Sequence, residues 1–219
     1  MDQRGSRQDI STDYPPLMIT EEHRRQLARF AAAVRASPHN LVSRGALAEL
    51  EERHIPESAA LAALLPREPR GQHLIDVGSG GGFPGIVIAV VRPDIRVTLV
   101  DARKKKTEFL EAVASELHLD VTVLRGRAEE LVLREHAGAY DLATARAVAP
   151  MVQLLPWTLP FLRPGGMLYA VKGERWKEEL DDAQSVLRSL RGQVVATPNE
   201  IDPVAPYAPR TVIVTRTPQ

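Results

Sequence analysis

The chain contains no cysteine among its 219 residues. That excludes disulfides, thiolate metal sites and cysteine nucleophiles, and with them any chemistry needing a covalent thiol adduct to a pyrimidine ring. Net charge is missing too, because 28 basic and 28 acidic side chains cancel. A protein that coats nucleic acid by general basicity is thereby excluded, while a local basic face is not. Aromatic residues make up only 5%, so extended base stacking does not dominate recognition. No apolar run reaches the roughly 20 residues of a membrane span, and the polar opening segment carries no secretory-leader pattern. A soluble, cytoplasmic protein without membrane contact is expected. His54 and His73 lack ligand spacing with other candidate ligands, so no metal site is expected.

What is present is a chain with 44% hydrophobic content, long enough for one sizeable core with a small appendage. Residues 1–19, polar and containing Pro15-Pro16, read as a disordered tail. Residues 20–70 read as a helical extension. Thr20 is an N-cap followed by Glu21 and Glu22, and Leu27, Phe30, Ala31 and Val34 recur at helical spacing. Further helices are expected at 44–53 and 57–65, then a break from Pro66 to Gly71. Residues 71–219 alternate strand and helix texture. Strands are expected at 73–77, 96–101, 121–125, 140–145, 167–171, 193–197 and 211–216. Helices are expected at 84–92, 103–118, 150–162 and 174–190. This is an α/β, Rossmann-like pattern: a seven-stranded, mostly parallel sheet with helices on both faces and ligands at the carboxyl ends of its strands. The closeness of the last two strands suggests a reversed edge strand.

The most informative stretch is Leu74-Ile75-Asp76-Val77-Gly78-Ser79-Gly80-Gly81-Gly82-Phe83-Pro84-Gly85, an apolar run that breaks into five glycines within eight residues. It reads as a buried strand, a tight loop and a helix start, which together form a cofactor cradle. Three cradles compete. A phosphate loop is rejected because Ile86 stands where its lysine belongs. Gly80-x-Gly82-x-x-Gly85 satisfies the dinucleotide fingerprint. Gly78-x-Gly80-x-Gly82 satisfies the shorter glycine pattern of S-adenosylmethionine-dependent methyltransferases. The spacing alone does not choose between these two. Asp76 favours the methyl donor, since a carboxylate before the loop repels a pyrophosphate but tolerates a sulfonium and an ammonium. That preference is on the order of 1–4 kcal/mol at about 4 Å.

Asp101 closes the next strand, about 20 residues past the glycines, where a carboxylate meets a ribose hydroxyl pair; a helix-capping role is the alternative. Gly126-Arg127-Ala128-Glu129-Glu130 follows the third strand and could hold an adenine ring; an ordinary helix start with early acids is the alternative. Thr144-Ala145-Arg146-Ala147 ends the fourth, so Arg146 is expected to point into the crevice, toward a cofactor carboxylate, an RNA phosphate or a base; a snorkelling surface arginine is the alternative. Lys104, within Arg103-Lys104-Lys105-Lys106, together with Arg127, Lys172 and Arg210, can form a phosphate-binding rim. Phe83 and Tyr169 are candidate stackers or core residues; Trp157 and Trp176 read as helix packing. The fourth-strand end lacks the [Asn/Asp]-Pro-Pro-aromatic motif common in enzymes that methylate exocyclic amines. A ring nitrogen with a free lone pair, such as guanine N7, needs no proton removed before attack and suits a site without an obvious base.

These residues resemble the ribosomal small-subunit methyltransferase G family, also called glucose-inhibited division protein B, from about Asn40 to Val214. Asn40-Leu41-Val42-Ser43 resembles its Asn-Leu-Thr segment, and Arg53-His54-Ile55-Pro56-Glu57-Ser58 its Arg-His-Ile-x-Asp-Ser. Asp76 through Ile86 is the most specific match, with Arg127-Ala128-Glu129-Glu130, Ala145-Arg146-Ala147 and Lys172-Gly173 following in order. Ser37-Pro38-His39 stands where the family often has Trp-Asn, Glu57 replaces its Asp, and Phe83 stands where Leu is common. The resemblance implies a class I S-adenosylmethionine-dependent enzyme that methylates guanine N7 in the decoding region of 16S ribosomal RNA. It further implies that RNA or the small subunit as the partner; a monomer is expected. Gly78, Phe83, Ala128, Glu129 and Arg146 would contact the cofactor, joined by Asp76, Gly80 and Asp101 from the arguments above; Arg146 would also serve the reaction. A nicotinamide oxidoreductase, a non-catalytic ribosome-binding module and a small-molecule methyltransferase remain the rival readings.

Overall fold

The computed structural model describes residues 17–133, 136–201 and 208–218. Most of the expected tail, 1–16, lies outside these residues. Helix α1 (Glu21–Ala36) begins as expected. The Thr20 hydroxyl accepts from the His23 N–H at 3.2 Å, and the His23 ring accepts back from the Thr20 N–H. Its buried stripe is Leu27, Phe30, Ala31 and Val34, the set the helical period picks out. The expected helix 44–53 is divided. α2 (Arg44–Ala48) gives way to a π-helical turn, Leu50–His54, which runs directly into α3 (Ile55–Leu64). Pro56 sits in the first turn of α3, directly after the π-helical turn.

From residue 73 the chain builds a seven-stranded sheet of β1 (His73–Val77), β2 (Arg96–Asp101), β3 (Val121–Arg125), β4 (Tyr140–Arg146), β5 (Leu162–Val171), β6 (Gly192–Ala196) and β7 (Thr211–Arg216). The spatial order is β3-β2-β1-β4-β5-β7-β6. β1 to β5 are mutually parallel. One expectation is corrected here. The reversed strand is β7, and it is not at the edge: it lies between β5 and β6, antiparallel to both. β6 takes the edge, pointing the same way as β5. Proximity in sequence could not tell which of two hairpin partners inserts, because the decision rests on which offers the more apolar strand. β7 reads Thr-Val-Ile-Val-Thr-Arg and is buried at all but its last residue, while β6 is half exposed.

The helices of the parallel half are α4 (Gly85–Val91), α5 (Lys104–Glu116), α6 (Ala128–Leu131) and α7 (Met151–Thr158). α7 passes through a short 3-10 turn into β5, which starts five residues earlier than expected. The expected helix 174–190 is two, α8 (Trp176–Asp182) and α9 (Gln184–Ser189), and α10 (Pro198–Ile201) follows β6. Side chains alternate across the sheet. Leu74, Val97 and Leu99 join one core with α1, α3, α4 and α5; Ile75, Val77 and Val100 join a second with α7, α8 and α9. The N-terminal extension thus shares a core with the sheet.

Arg92 staples that junction. Its guanidinium is nearly fully buried and donates to the carbonyls of Ala62 (3.1 Å), Leu65 (3.1 Å) and Pro66 (2.8 Å), while pairing with Asp94 at 2.8 Å. Carbonyls at and beyond the end of a helix run short of backbone donors; Ala62 keeps only a 3.4 Å contact from the Leu65 N–H, and one planar cation serves all three.

Candidate active site

The carboxyl ends of β1 to β4 enclose a crevice of about 250 Å³. Its floor is the glycine loop, held by two aspartates with different tasks. Asp76 is 1% exposed. Its Oδ2 accepts from the Gly85 N–H at 3.1 Å and its Oδ1 from the Thr144 hydroxyl at 2.8 Å. Burial pushes this carboxyl up to about 6 in spite of the donors from Thr144, Ser79 and Gly85. Asp76 therefore faces inward and braces the loop to α4 and β4; it does not face the crevice as expected. The strand alternation explains this: Asp76 shares a face with Leu74, toward α4, whereas Val77 lines the crevice. A Cβ on Gly85 would come within 2.6 Å of Asp76 Oδ2 and 2.3 Å of Leu99 Cδ2, so only glycine can donate that N–H.

Asp101 does line the crevice. Its Oδ2 accepts from the Gly80 N–H at 3.1 Å and its Oδ1 from the Arg103 N–H at 2.9 Å. Each oxygen keeps lone-pair capacity for a further donor. The loop is also sewn to β2 by the Gly78 and Ser79 N–H groups, both 2.9 Å from the Val100 carbonyl. Gly78 (φ +76°) and Gly80 (φ +58°) hold the left-handed backbone that this path needs. A Cβ on Gly78 would stand 2.7 Å from Val148 Cγ2, closing the cradle from above. Ala128 and Glu129 line the crevice beyond β3 as expected. Phe83 does not: it is buried beneath the loop, its ring 4.9 Å from Phe30 and 6.1 Å from His54. Tyr169 is core.

Arg146 ends β4. Its Nη2 donates to Glu57 Oε2 at 2.9 Å and to His54 Nδ1. Both partners belong to the extension. Burial pulls the guanidinium's pKa down, opposed by Glu57. His54 is held below its ordinary value by burial and by Arg146, so it stays neutral and can accept. Ala147, next in the chain, is left-handed at φ +52°, a strained conformation for a residue with a side chain.

The expected basic rim is only partly assembled. Arg127 lines the crevice and is largely exposed. Lys104 points outward and pairs with Glu108 at 3.4 Å on the solvent face of α5. Lys106 takes its place, half-buried in the crevice, its pKa lowered by burial and raised by Asp101. The signal was present: Lys106 lies one turn before buried Leu110. Lys172 is a correction. Its ammonium is 7% exposed, 2.6 Å from Glu179 and 2.8 Å from the Ala149 carbonyl. It joins β5 to α7 and α8 and is not offered to a phosphate. Arg210 stays half exposed, 4.0 Å from Glu174. Trp157, read as packing, lines the crevice; no local pattern distinguishes it. Among the described residues no group of three or more potential metal ligands gathers, and no helix is long and apolar enough to cross a membrane.

The family model for rRNA small subunit methyltransferase G matches residues 24–203, covering most of the extension, the loop and β1 to β6. The chain belongs to the rRNA small subunit methyltransferase G family. Among curated members, the Mycolicibacterium smegmatis protein is 48% identical over 139 residues, 64% of this chain and 58% of that one. The Sorangium cellulosum protein is 47% identical over 159 residues, 72% of this chain and 66% of that one. The match thus spans less than two thirds of either relative's length. In fold, the chain is similar to a branched-chain polyamine synthase mutein from Thermus thermophilus, with a TM-score of 0.60 at 15% identity, covering 89% of this chain and 65% of that one. The sheet is Rossmann-like, and the helices of the N-terminal extension pack against one face of it.

Proposed function

We propose that this chain transfers a methyl group from S-adenosylmethionine to N7 of a guanine in the decoding region of 16S ribosomal RNA, acting in the cytoplasm on that RNA or on the small subunit. The crevice suits such a donor. Asp101 has lone pairs that would serve a ribose hydroxyl pair, Ala128, Glu129 and Trp157 line the wall we assign to the adenine, and a Cβ on Gly78 would stand 2.7 Å from Val148. When bound, the cofactor supplies an electrophilic methyl on a sulfonium.

The observation that carries the choice of atom is the end of β4. Thr144 is committed to Asp76, Arg146 is a cation, and Glu57 is shared between Arg53 and Arg146. None of them stands free to take a proton from an amine. A guanine N7 lone pair requires none: the N–C bond forms as the S–C bond breaks, and the charge passes from sulfur to the base. The chain's task is then alignment of nucleophile and methyl and exclusion of water. Arg127 and Lys106 are the cations we assign to RNA phosphates.

Tritiated S-adenosylmethionine, offered with small subunits from a strain lacking the activity, tests this. Label on guanine N7 of the small-subunit RNA is the expected result. Cofactor binding with label on a small molecule, or on an exocyclic amine, would overturn the choice of substrate. Failure to bind the cofactor would overturn the reading at its root.

A further inference from the structure

We infer that Glu57 is a positioning residue for Arg146, so that the N-terminal extension completes the reaction site. The inference rests on the reading above, that methyl transfer occurs at the carboxyl edge beside β4. Glu57 lies in the first turn of α3, 89 residues from Arg146 in sequence. Its two oxygens hold two guanidiniums: Oε1 accepts from Arg53 Nε at 3.0 Å and Oε2 from Arg146 Nη2 at 2.9 Å. The same Nη2 meets His54 Nδ1. Both extension partners thus grip one nitrogen. Nη1 and Nε of Arg146 donate no hydrogen bond to any described residue. A guanidinium presents its donors in a planar fork, so fixing Nη2 fixes the direction of the remaining edge. Arg146 is the last residue of β4, directly before Ala147 and Val148, which line the crevice, so the guanidinium stands at the strand ends where we place the reacting atoms.

Three further features favour a site built for precision over a simple tie between layers. Arg146 is only 15% exposed and its burial opposes its charge, so without Glu57 a buried cation would be left uncompensated. His54 has its other ring nitrogen, Nε2, buried without a hydrogen-bond partner. With Nδ1 accepting, Nε2 carries the proton, and an unpaired buried N–H is a cost that packing alone does not require. The strained backbone at Ala147 lies at the same point, and strain of this kind gathers at functional sites.

The test is methyl transfer to small subunits by Glu57→Gln and Glu57→Asp, with turnover counted per cofactor-binding molecule and melting temperature read alongside. Glu57→Gln keeps the shape and removes the charge. It is expected to lower kcat at least tenfold, leave the dissociation constant for S-adenosylmethionine within twofold, and leave KM for the subunit within threefold. Glu57→Asp, which keeps the charge on a shorter arm, is expected to recover at least a third of kcat. Wild-type turnover by Glu57→Gln, or a loss confined to melting temperature, would overturn the inference while leaving the function in place. A wild-type chain that binds cofactor but transfers to no RNA would overturn the functional reading, and this inference with it.

Discussion

The glycine cradle and the end of β4 are neighbours in space but are built in opposite ways. The cradle comes from a single stretch, Asp76 to Gly85, closed by Asp101 and Thr144 on the adjoining strands. Its parts are rigid because backbone N–H groups and fixed carboxylates hold them. The end of β4 is assembled from segments about ninety residues apart, with an arginine held by an acid and a histidine from another layer. Its geometry depends on how that layer sits. A cradle of the first kind can bind a cofactor on its own; a cluster of the second kind acts only while the layers stay docked.

The comparison is broken most directly at the staple. Arg92→Ala leaves the carbonyls of Ala62, Leu65 and Pro66 and the Asp94 carboxylate without their cation. Breaking such a buried network costs about 4 kcal/mol. Chemical denaturation is expected to show that loss, and residual cofactor binding per folded molecule is expected to hold. Equal loss of both would mean that the cradle, too, depends on the extension.

Gly85→Ala attacks the cradle instead. Its Cβ would meet Leu99 and Asp76 at distances no real Cβ keeps, with an expected cost of about 3 kcal/mol and a loss of cofactor affinity measurable by calorimetry. A variant as stable as the parent would contradict the packing described for α4.

Asp76→Asn sharpens the picture through pH. The folded-state pKa of Asp76, about 6, lies above its ordinary value of 3.8. Folding therefore favours the protonated form. Its contribution is greatest below pH 3.8, falls by about 3 kcal/mol as pH rises to 6, and is level above that. Asparagine removes the titration while its carbonyl still accepts from Gly85 and the Thr144 hydroxyl turns to accept from its amide. The difference in unfolding free energy between the two chains should shift toward the variant across that window and stay flat above it. A difference constant from pH 4 to 7 would show that Asp76 is not held as described.

His54 carries the corresponding dependence at the other region. It is a base whose pKa is lowered by burial and by Arg146, with Glu57, Arg53 and Glu49 also facing it. Its contribution is complete above its ordinary value of 6.5 and is lost as pH falls toward the folded value. Turnover should decline on the acid side before cofactor binding does. The smallest effect is expected at Lys104→Gln, which removes an exposed pair with Glu108 worth less than about 0.5 kcal/mol. RNA affinity should hold there and fall at Lys106→Gln, measured at fixed salt.

The contrast also accounts for what could be read in advance. The cradle was legible because its signal is local: five glycines after an apolar run, and an acid at the next strand's end. The direction of Asp76 was not read, although strand alternation contained it. Lys172 looked like a free cation after β5 because nothing near it in sequence announces that Glu179 will pair with it. Trp157 carries no mark that separates a crevice wall from a core. The Glu57–Arg146–His54 cluster was invisible as a cluster, though all three residues lay within recognisable motifs.

By itself, then, the sequence determined the alternation of strands and helices, the parallel sheet, the cradle and the capped first helix, since each follows from interactions a few residues long. The tertiary structure alone decided the insertion of β7 inside the sheet, the burial of Lys172, the substitution of Lys106 for Lys104 at the crevice, and the docking of Glu57 on Arg146. Those outcomes turn on which apolar faces meet. A charge is free or paired according to the layer that lands on it, and no local spacing encodes that.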